Sequence, residues 1–221
     1  MPRIARLVLP DYPHHVTQRG NYQQTVFKTE MDYKNYINLL KKYMSEYSLS
    51  ILSFCLMPNH VHSICIPHNE SSLANTFKLT HMVYSQYFNK KNNVKGHLWQ
   101  SRFFSSILDE KYLYAAVRYV ERNPVRAGLA NKPWDWKWSS AYMRVNKRED
   151  SGIPLTDLSK FIEVEDWEDY LSDPEDGGVV KIIRKNTLIG KPCGDDSFIK
   201  RLEKIFEVNL TQLRRGRPSL K

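Results

Sequence analysis

His60-Val61-His62 is the first group in the chain whose types and spacing suggest chemistry. On a strand, residues i and i+2 project from one face with Cα atoms about 6 to 7 Å apart, so two imidazoles can converge on one divalent ion while Val61 points into the core. A pair of surface or hydrogen-bonded histidines fits the same string. Tyr119 and Asn123 are the second group. Four residues apart on a continuous helix, a phenol and an amide share one face. Alternatives stand beside each: Tyr119 as a core aromatic, and Asn123, directly before Pro124, as the N-cap of a short helix from Pro124 to Leu129.

The elements that must position these groups follow from periodicity. His14 to Arg19 predicts a strand, closed by the turn signal Gly20-Asn21. Asp32 is expected to cap a helix carrying Tyr33, Tyr36, Ile37, Leu40, Tyr43 and Met44 at three- and four-residue spacing and ending near Tyr47. Ser50 to Met57 and His60 to Ile66, joined by Pro58-Asn59, predict a β-hairpin. Ser71 or Ser72 opens a long helix that stops in the polar stretch from Asn89 to Gly96. Phe103 to Leu108 reads as a fourth strand, and Asp109 caps a helix running to about Arg122. The order β-α-β-β-α-β-α predicts an α+β fold built on a ferredoxin-like split βαβ antiparallel sheet with packed helices.

Beyond it, residues 146–160 lack periodicity and read as a linker. Residues 161–221 read as a small helical C-terminal region, with short helices expected at Asp166 to Leu171, Val179 to Thr187 and Ser197 to Phe206. The first unit is therefore expected to span residues 1–145.

Charge is distributed in blocks. The chain of 221 residues carries net +9. Residues 1–145 hold 19 Lys+Arg against 9 Asp+Glu, residues 149–176 hold 1 against 11, and residues 177–221 hold 11 against 4. A polyanionic partner belongs first to the leading block. The acidic block is either a solvated face or a segment that folds back over the nucleic-acid groove. Three cysteines without CxxC spacing predict neither a disulfide nor a cysteine-held zinc. With no run of 18 apolar residues and no signal-peptide pattern, a cytoplasmic protein without membrane attachment is expected.

The strings MPNHVH (57–62), LWQSRF (98–103) and RYVERNPVRAG (118–128), in this order, resemble the REP-associated tyrosine transposases, an IS200-like group of single-tyrosine HUH enzymes. HVTQRGNYQQTVF (15–27) and WKWSSA (136–141) are similar to that family too, so the resemblance covers nearly all of residues 10–142. It implies a ferredoxin-like catalytic domain that cuts and transfers single-stranded DNA at a foldback hairpin through a 5′-phosphotyrosine. Tyr119 would be the nucleophile, and His60 and His62 would hold a divalent metal, Mg²⁺ or Mn²⁺. Asn123 stands where related enzymes commonly place a longer Gln as third ligand.

The donor set is chemically apt, because two neutral imidazoles and an amide oxygen leave positions open for phosphate and water. Candidate DNA contacts are Arg19, Arg102, Arg118 and Arg126, with Arg215 and Arg217 in an RGRP string that resembles an AT-hook core or is a solvated basic terminus. Trp99 and Phe103 are either base-stacking or core residues. The alternative function is a catalytically silent hairpin DNA- or RNA-binding regulator; monomer and homodimer both remain open.

Overall fold

The computed structural model describes residues 6–147 and 152–210. Four strands, β1 (His14–Arg19), β2 (Leu49–Met57), β3 (His60–Pro67) and β4 (Phe104–Ile107), form one sheet in the order β2-β3-β1-β4. Every neighbouring pair is antiparallel. Strands β1 and β2 thus run the same way with β3 between them, which is the split βαβ arrangement. The predicted α+β class and ferredoxin-like sheet are what the chain adopts.

Helices α1 (Glu30–Glu46) and α2 (Ser72–Asn92) cover one sheet face. There Val16, Phe54, Leu56, Val61 and Cys65 meet Tyr36, Leu40, Phe77 and Tyr84 in a buried cluster. The opposite face is covered by α3 (Glu110–Glu121), the one-turn α4 (Asn123–Arg126), α6 (Trp167–Ser172) and α7 (Gly177–Ile189). Its cluster joins Leu52, Met57 and Ile64 to Val117, Val120, Leu171 and Ile183. Helix α5 (Ser140–Val145) lies at the rim, and α8 (Asp196–Phe206) packs Phe198 and Leu202 against Ile107. The three cysteines are free and buried. Among the described residues, no helix is long and apolar enough to cross a membrane.

Local chemistry explains most boundaries. Asp109 caps α3 by accepting from the Tyr112 amide at 2.7 Å, and it also accepts from the Asp195 amide, tying the start of α8 to the same carboxylate. The predicted cap of α1 needs correction. Thr29 is the N-cap, and Asp32 is the third helical residue, reaching back to the Lys28 and Thr29 amides at 2.9 Å. That placement frees its other oxygen for Lys91 and Tyr87 on α2, so one buried carboxylate starts a helix and ties two together. Gly20 ends β1 where a Cβ would stand 2.4 Å from the Gln24 carbonyl oxygen.

The later part of the chain lies against the sheet. Leu155 bridges Ile51 and Ile153 is buried in the first cluster. After α7, Cys193 pairs along Leu108 and so extends the edge at β4. Glu121 is fully buried, held by Arg144, Ser53 and Ser140, while Arg144 also donates to the Leu52 carbonyl. Removing one partner of such a pair strands the other charge. Arg144→Met is expected to lower the unfolding free energy by about 3 to 5 kcal/mol in urea titrations.

Two histidines remote from the catalytic candidates make stability depend on pH. Burial lowers His14 to about 4, partly opposed by its bond to the Tyr12 carbonyl, and lowers His81 to about 3. Unfolded, each titrates near 6.5. Between these values the unfolded chain binds protons that the folded chain refuses, so the stabilisation is complete above about pH 6.5 and declines as pH falls toward 4 and below. Unfolding free energy measured across pH 4 to 7 should rise with pH; a flat profile would contradict the buried neutral state.

Candidate active site

Antiparallel pairing of β1 with β3 sets the site. Arg19 lies opposite His60 and Thr17 opposite His62, so these four residues and His15 occupy the sheet face beneath α3. Val61 points the other way, into the α1–α2 cluster. The His60 and His62 rings are 5.1 Å apart and nearly perpendicular. The Tyr119 ring stands edge-on to His62 at 5.5 Å, bringing the phenol-bearing ring beside the histidine pair.

Hydrogen bonds determine which ring nitrogens are available. Asn59 donates its amide to the Gln23 carbonyl, so its Oδ1 faces His60 Nδ1 at 2.6 Å and accepts the proton there. His60 Nε2 then carries a lone pair. His62 Nδ1 lies 2.9 Å from His15 Nε2, and His15 Nδ1 lies 2.8 Å from Thr187 Oγ1. One proton order in this relay has His62 donating to His15 and His15 donating to Thr187, which leaves His62 Nε2 bare as well. Burial, followed by the charges of Arg19 and Arg126, lowers His60 to about 4. Burial also holds His62 well below its ordinary value, with His60, His15, Arg126 and Arg19 adding to the effect. Neutral imidazoles are the form that binds a metal ion.

Asn123 lies beside the histidine pair with its amide nitrogen toward it. Arg126 donates to its Oδ1 at 2.8 Å, so its Nδ2 faces His60 Nε2 at 3.1 Å. Rotation about the last side-chain bond exchanges the two atoms and would present oxygen beside the histidines. The alternative role as an N-cap is not realised: Arg122 is the cap, α4 starts at Asn123, and the Asn123 side chain is engaged by His60 and Arg126. With two imidazoles and one amide, the residues fit a divalent ion with open positions. Among the described residues no cluster of three His, Cys, Asp or Glu competes for that role.

Tyr119 is 4% exposed, and its hydroxyl accepts from Arg184 Nε of α7 at 3.3 Å. The Arg126 guanidinium sits over the same ring at 4.4 Å. Arg126 pairs with Glu175 at 2.7 Å, and Arg118, whose guanidinium rests over the Tyr170 ring, reaches Asp173 at 3.4 Å. The acidic block therefore folds back onto two of the arginines expected to contact DNA. Arg19 is exposed beside His60. Arg102 is exposed at a cavity beside α2, away from this group, and Arg215 and Arg217 lie outside the described residues.

His15, Arg184 and Thr187 were not foreseen as site residues. Strand alternation could have flagged His15, two residues before Thr17; nothing local marks the other two. Thr187→Val removes the hydroxyl from buried His15 and should lower stability by about 1 to 3 kcal/mol, with Thr187→Ser restoring it. Nitrogen-15 spectra of the imidazoles should change at His15 and His62 but not at His60; unchanged His62 signals would disprove the relay.

The model of IS200-like transposases matches residues 10–123, slightly more than half of the chain. A Haemophilus influenzae protein named for the REP-associated tyrosine transposases is 25% identical over 155 residues, spanning 62% of this chain and 88% of that protein. A solved REP-associated tyrosine transposase bound to a REP hairpin aligns with a TM-score of 0.54 at 19% identity, covering 75% of this chain and all of that one. That likeness independently matches the fold. With the sheet, the paired histidines and the helix-borne tyrosine already in place, the chain belongs to the IS200-like transposase family.

Proposed function

We propose that this chain cleaves single-stranded DNA beside a foldback hairpin and transfers the strand, through a 5′-phosphotyrosine on Tyr119. His60, His62 and Asn123 would hold a divalent ion, Mg²⁺ or Mn²⁺. The observation that carries this reading is the Tyr119 ring set edge-on to His62 at 5.5 Å, with the His60 ring 5.1 Å from that of His62. The solved relative with its REP hairpin supports a hairpin as the class of substrate.

A phosphodiester resists attack because its anionic oxygens repel a nucleophile; a bound divalent ion would supply positive charge at a non-bridging oxygen. Tyr119 supplies the attacking oxygen. Its bond to phosphorus forms as the P–O3′ bond breaks, the electron pair leaves on O3′, and the phenolic proton is in net terms transferred there to give a 3′-hydroxyl. A 3′-hydroxyl from another strand reverses the step and regenerates the phenol, so the exchange of one phosphoester for another needs no ATP. Arg184 donates to the phenol oxygen and would help orient it. Arg19, exposed opposite His60, would hold a phosphate there. Arg118 and Arg126 would reach phosphates after release from Asp173 and Glu175.

The enclosed phenol also favours a second reading, hairpin binding without cleavage. Labelled single-stranded DNA from the region flanking the gene, incubated with and without Mn²⁺ and resolved on a denaturing gel, separates the two. Wild type should give a covalent adduct. Tyr119→Phe should abolish it while hairpin binding persists; His60→Ala or His62→Ala should stop cleavage, and Asn123→Ala should shift the Mn²⁺ activation curve. A normal adduct in Tyr119→Phe would remove that residue from the mechanism, and hairpin binding without any adduct in wild type would leave the silent binder.

A further inference from the structure

Between α4 and α7, a cavity of about 550 Å³ gathers four cationic side chains, Arg126, Lys181, Arg184 and Lys185, around one carboxylate, Glu175. Helix α7 supplies three of the four cations. Its residues Val180, Ile183 and Thr187 are buried, which leaves Lys181, Arg184 and Lys185, at three- and four-residue spacing, together on an exposed flank. Like charges one helical turn apart repel, so Lys181 and Lys185 cost the helix stability that an anion in the cavity would return.

The cavity adjoins the phenol. Arg184 Nε lies 3.3 Å from the Tyr119 hydroxyl, and the Arg126 guanidinium covers the same ring at 4.4 Å. Arg126 divides its two terminal nitrogens. Its Nη2 donates to the Tyr119 carbonyl at 3.2 Å and to Asn123 Oδ1 at 2.8 Å, while its Nη1 donates to both Glu175 oxygens at 2.7 and 2.8 Å. A carboxylate held by charge-assisted bonds marks where an anion sits in this wall. One negative charge does not balance four positive ones. A phosphodiester could take the place of Glu175 at Nη1 and leave the Nη2 bond to Asn123 undisturbed.

We propose that this cavity holds a backbone phosphate of the unpaired strand that reaches Tyr119, with Lys181 and Lys185 as its contacts from α7 and Glu175 as the anion it displaces. Lysine presents a compact point charge and reads no base, so the site would position the strand without selecting its sequence. The inference rests on the hairpin-binding reading above. It adds a phosphate site on a helix that lies beyond residues 10–123, the part matched by the family model.

The test is a charge scan of the DNA. Hairpin oligonucleotides with an unpaired flank, each carrying one neutral methylphosphonate linkage, are titrated by fluorescence anisotropy at several salt concentrations. The proteins are wild type, Lys181→Gln with Lys185→Gln, Glu175→Gln, and Lys34→Gln with Lys41→Gln. Lys34 and Lys41 are exposed on α1, across the sheet, so that pair removes the same charge far from the cavity. Wild type should lose roughly threefold to tenfold in affinity when one particular flanking linkage is neutral. The α7 double variant should bind the unmodified hairpin more weakly, with a log–log salt slope shallower by about 1, and show no further loss at that linkage. The α1 double variant should keep the wild-type penalty there. Glu175→Gln should bind more tightly, because the phosphate then displaces no charge. A flank with no sensitive linkage, a penalty that persists in the α7 double variant, its loss in the α1 double variant, or no gain from Glu175→Gln overturns the site and leaves hairpin binding standing. Failure of wild type to bind any hairpin removes the underlying reading and the site with it.

Discussion

The pairing of β1 with β3 is the constraint on which the rest depends. Side chains alternate across a strand, so this one register assigns His15, Thr17, Arg19, His60 and His62 to one face and Val16, Gln18 and Val61 to the other. A slip of one residue in the side-chain alternation of β3 would put two imidazoles in the aromatic cluster and Val61 beneath the tyrosine. The burial of Val61 against α1 and α2 opposes that slip, and the two-residue Pro58-Asn59 connection holds the end of the strand. Hydrophobic pattern thus fixes the orientation of the polar groups, although it contributes no donor of its own.

Much of this was legible because it is local. Strand β1 runs from His14 to Arg19 as its pattern predicts, the hairpin turns at Pro58-Asn59, and Asp109 caps α3. Asp32 shows where local reading stops. Its type marks a helix start correctly, but the position depends on Lys91 and Tyr87 from α2, which draw the buried carboxylate into the first turn. Asn123 shows the same limit: the following proline suggests a cap, whereas His60, 63 residues away in sequence, takes the amide. Thr187 is 172 residues from His15, and no periodicity in α7 announces which of its polar residues will meet a histidine.

The C-terminal helices enter the face that carries the histidine pair and Tyr119 rather than merely following it in sequence. Helix α7 contributes apolar Ile183 to the cluster under α3, Arg184 to the phenol and Thr187 to the imidazole relay. The acidic stretch before it occupies Arg118 and Arg126. Charge blocks that look separate along the chain are interleaved in space, so counts by segment overstate the positive field available around Tyr119. Any phosphate that reached Arg118 or Arg126 would have to displace a carboxylate partner, a competition that added salt weakens on both sides.

The sequence separation between Tyr119 and Arg184 also has a meaning in time. Sixty-five residues part them, and a ribosome adding about 5 to 20 residues each second needs roughly 3 to 13 s to make that length. The sheet and the tyrosine helix are synthesised before the helix that supplies the cation and the hydroxyl. A newborn chain therefore passes through an interval in which Tyr119 has been made but its final neighbours have not, and the order of translation separates construction of the histidine-bearing face from its enclosure.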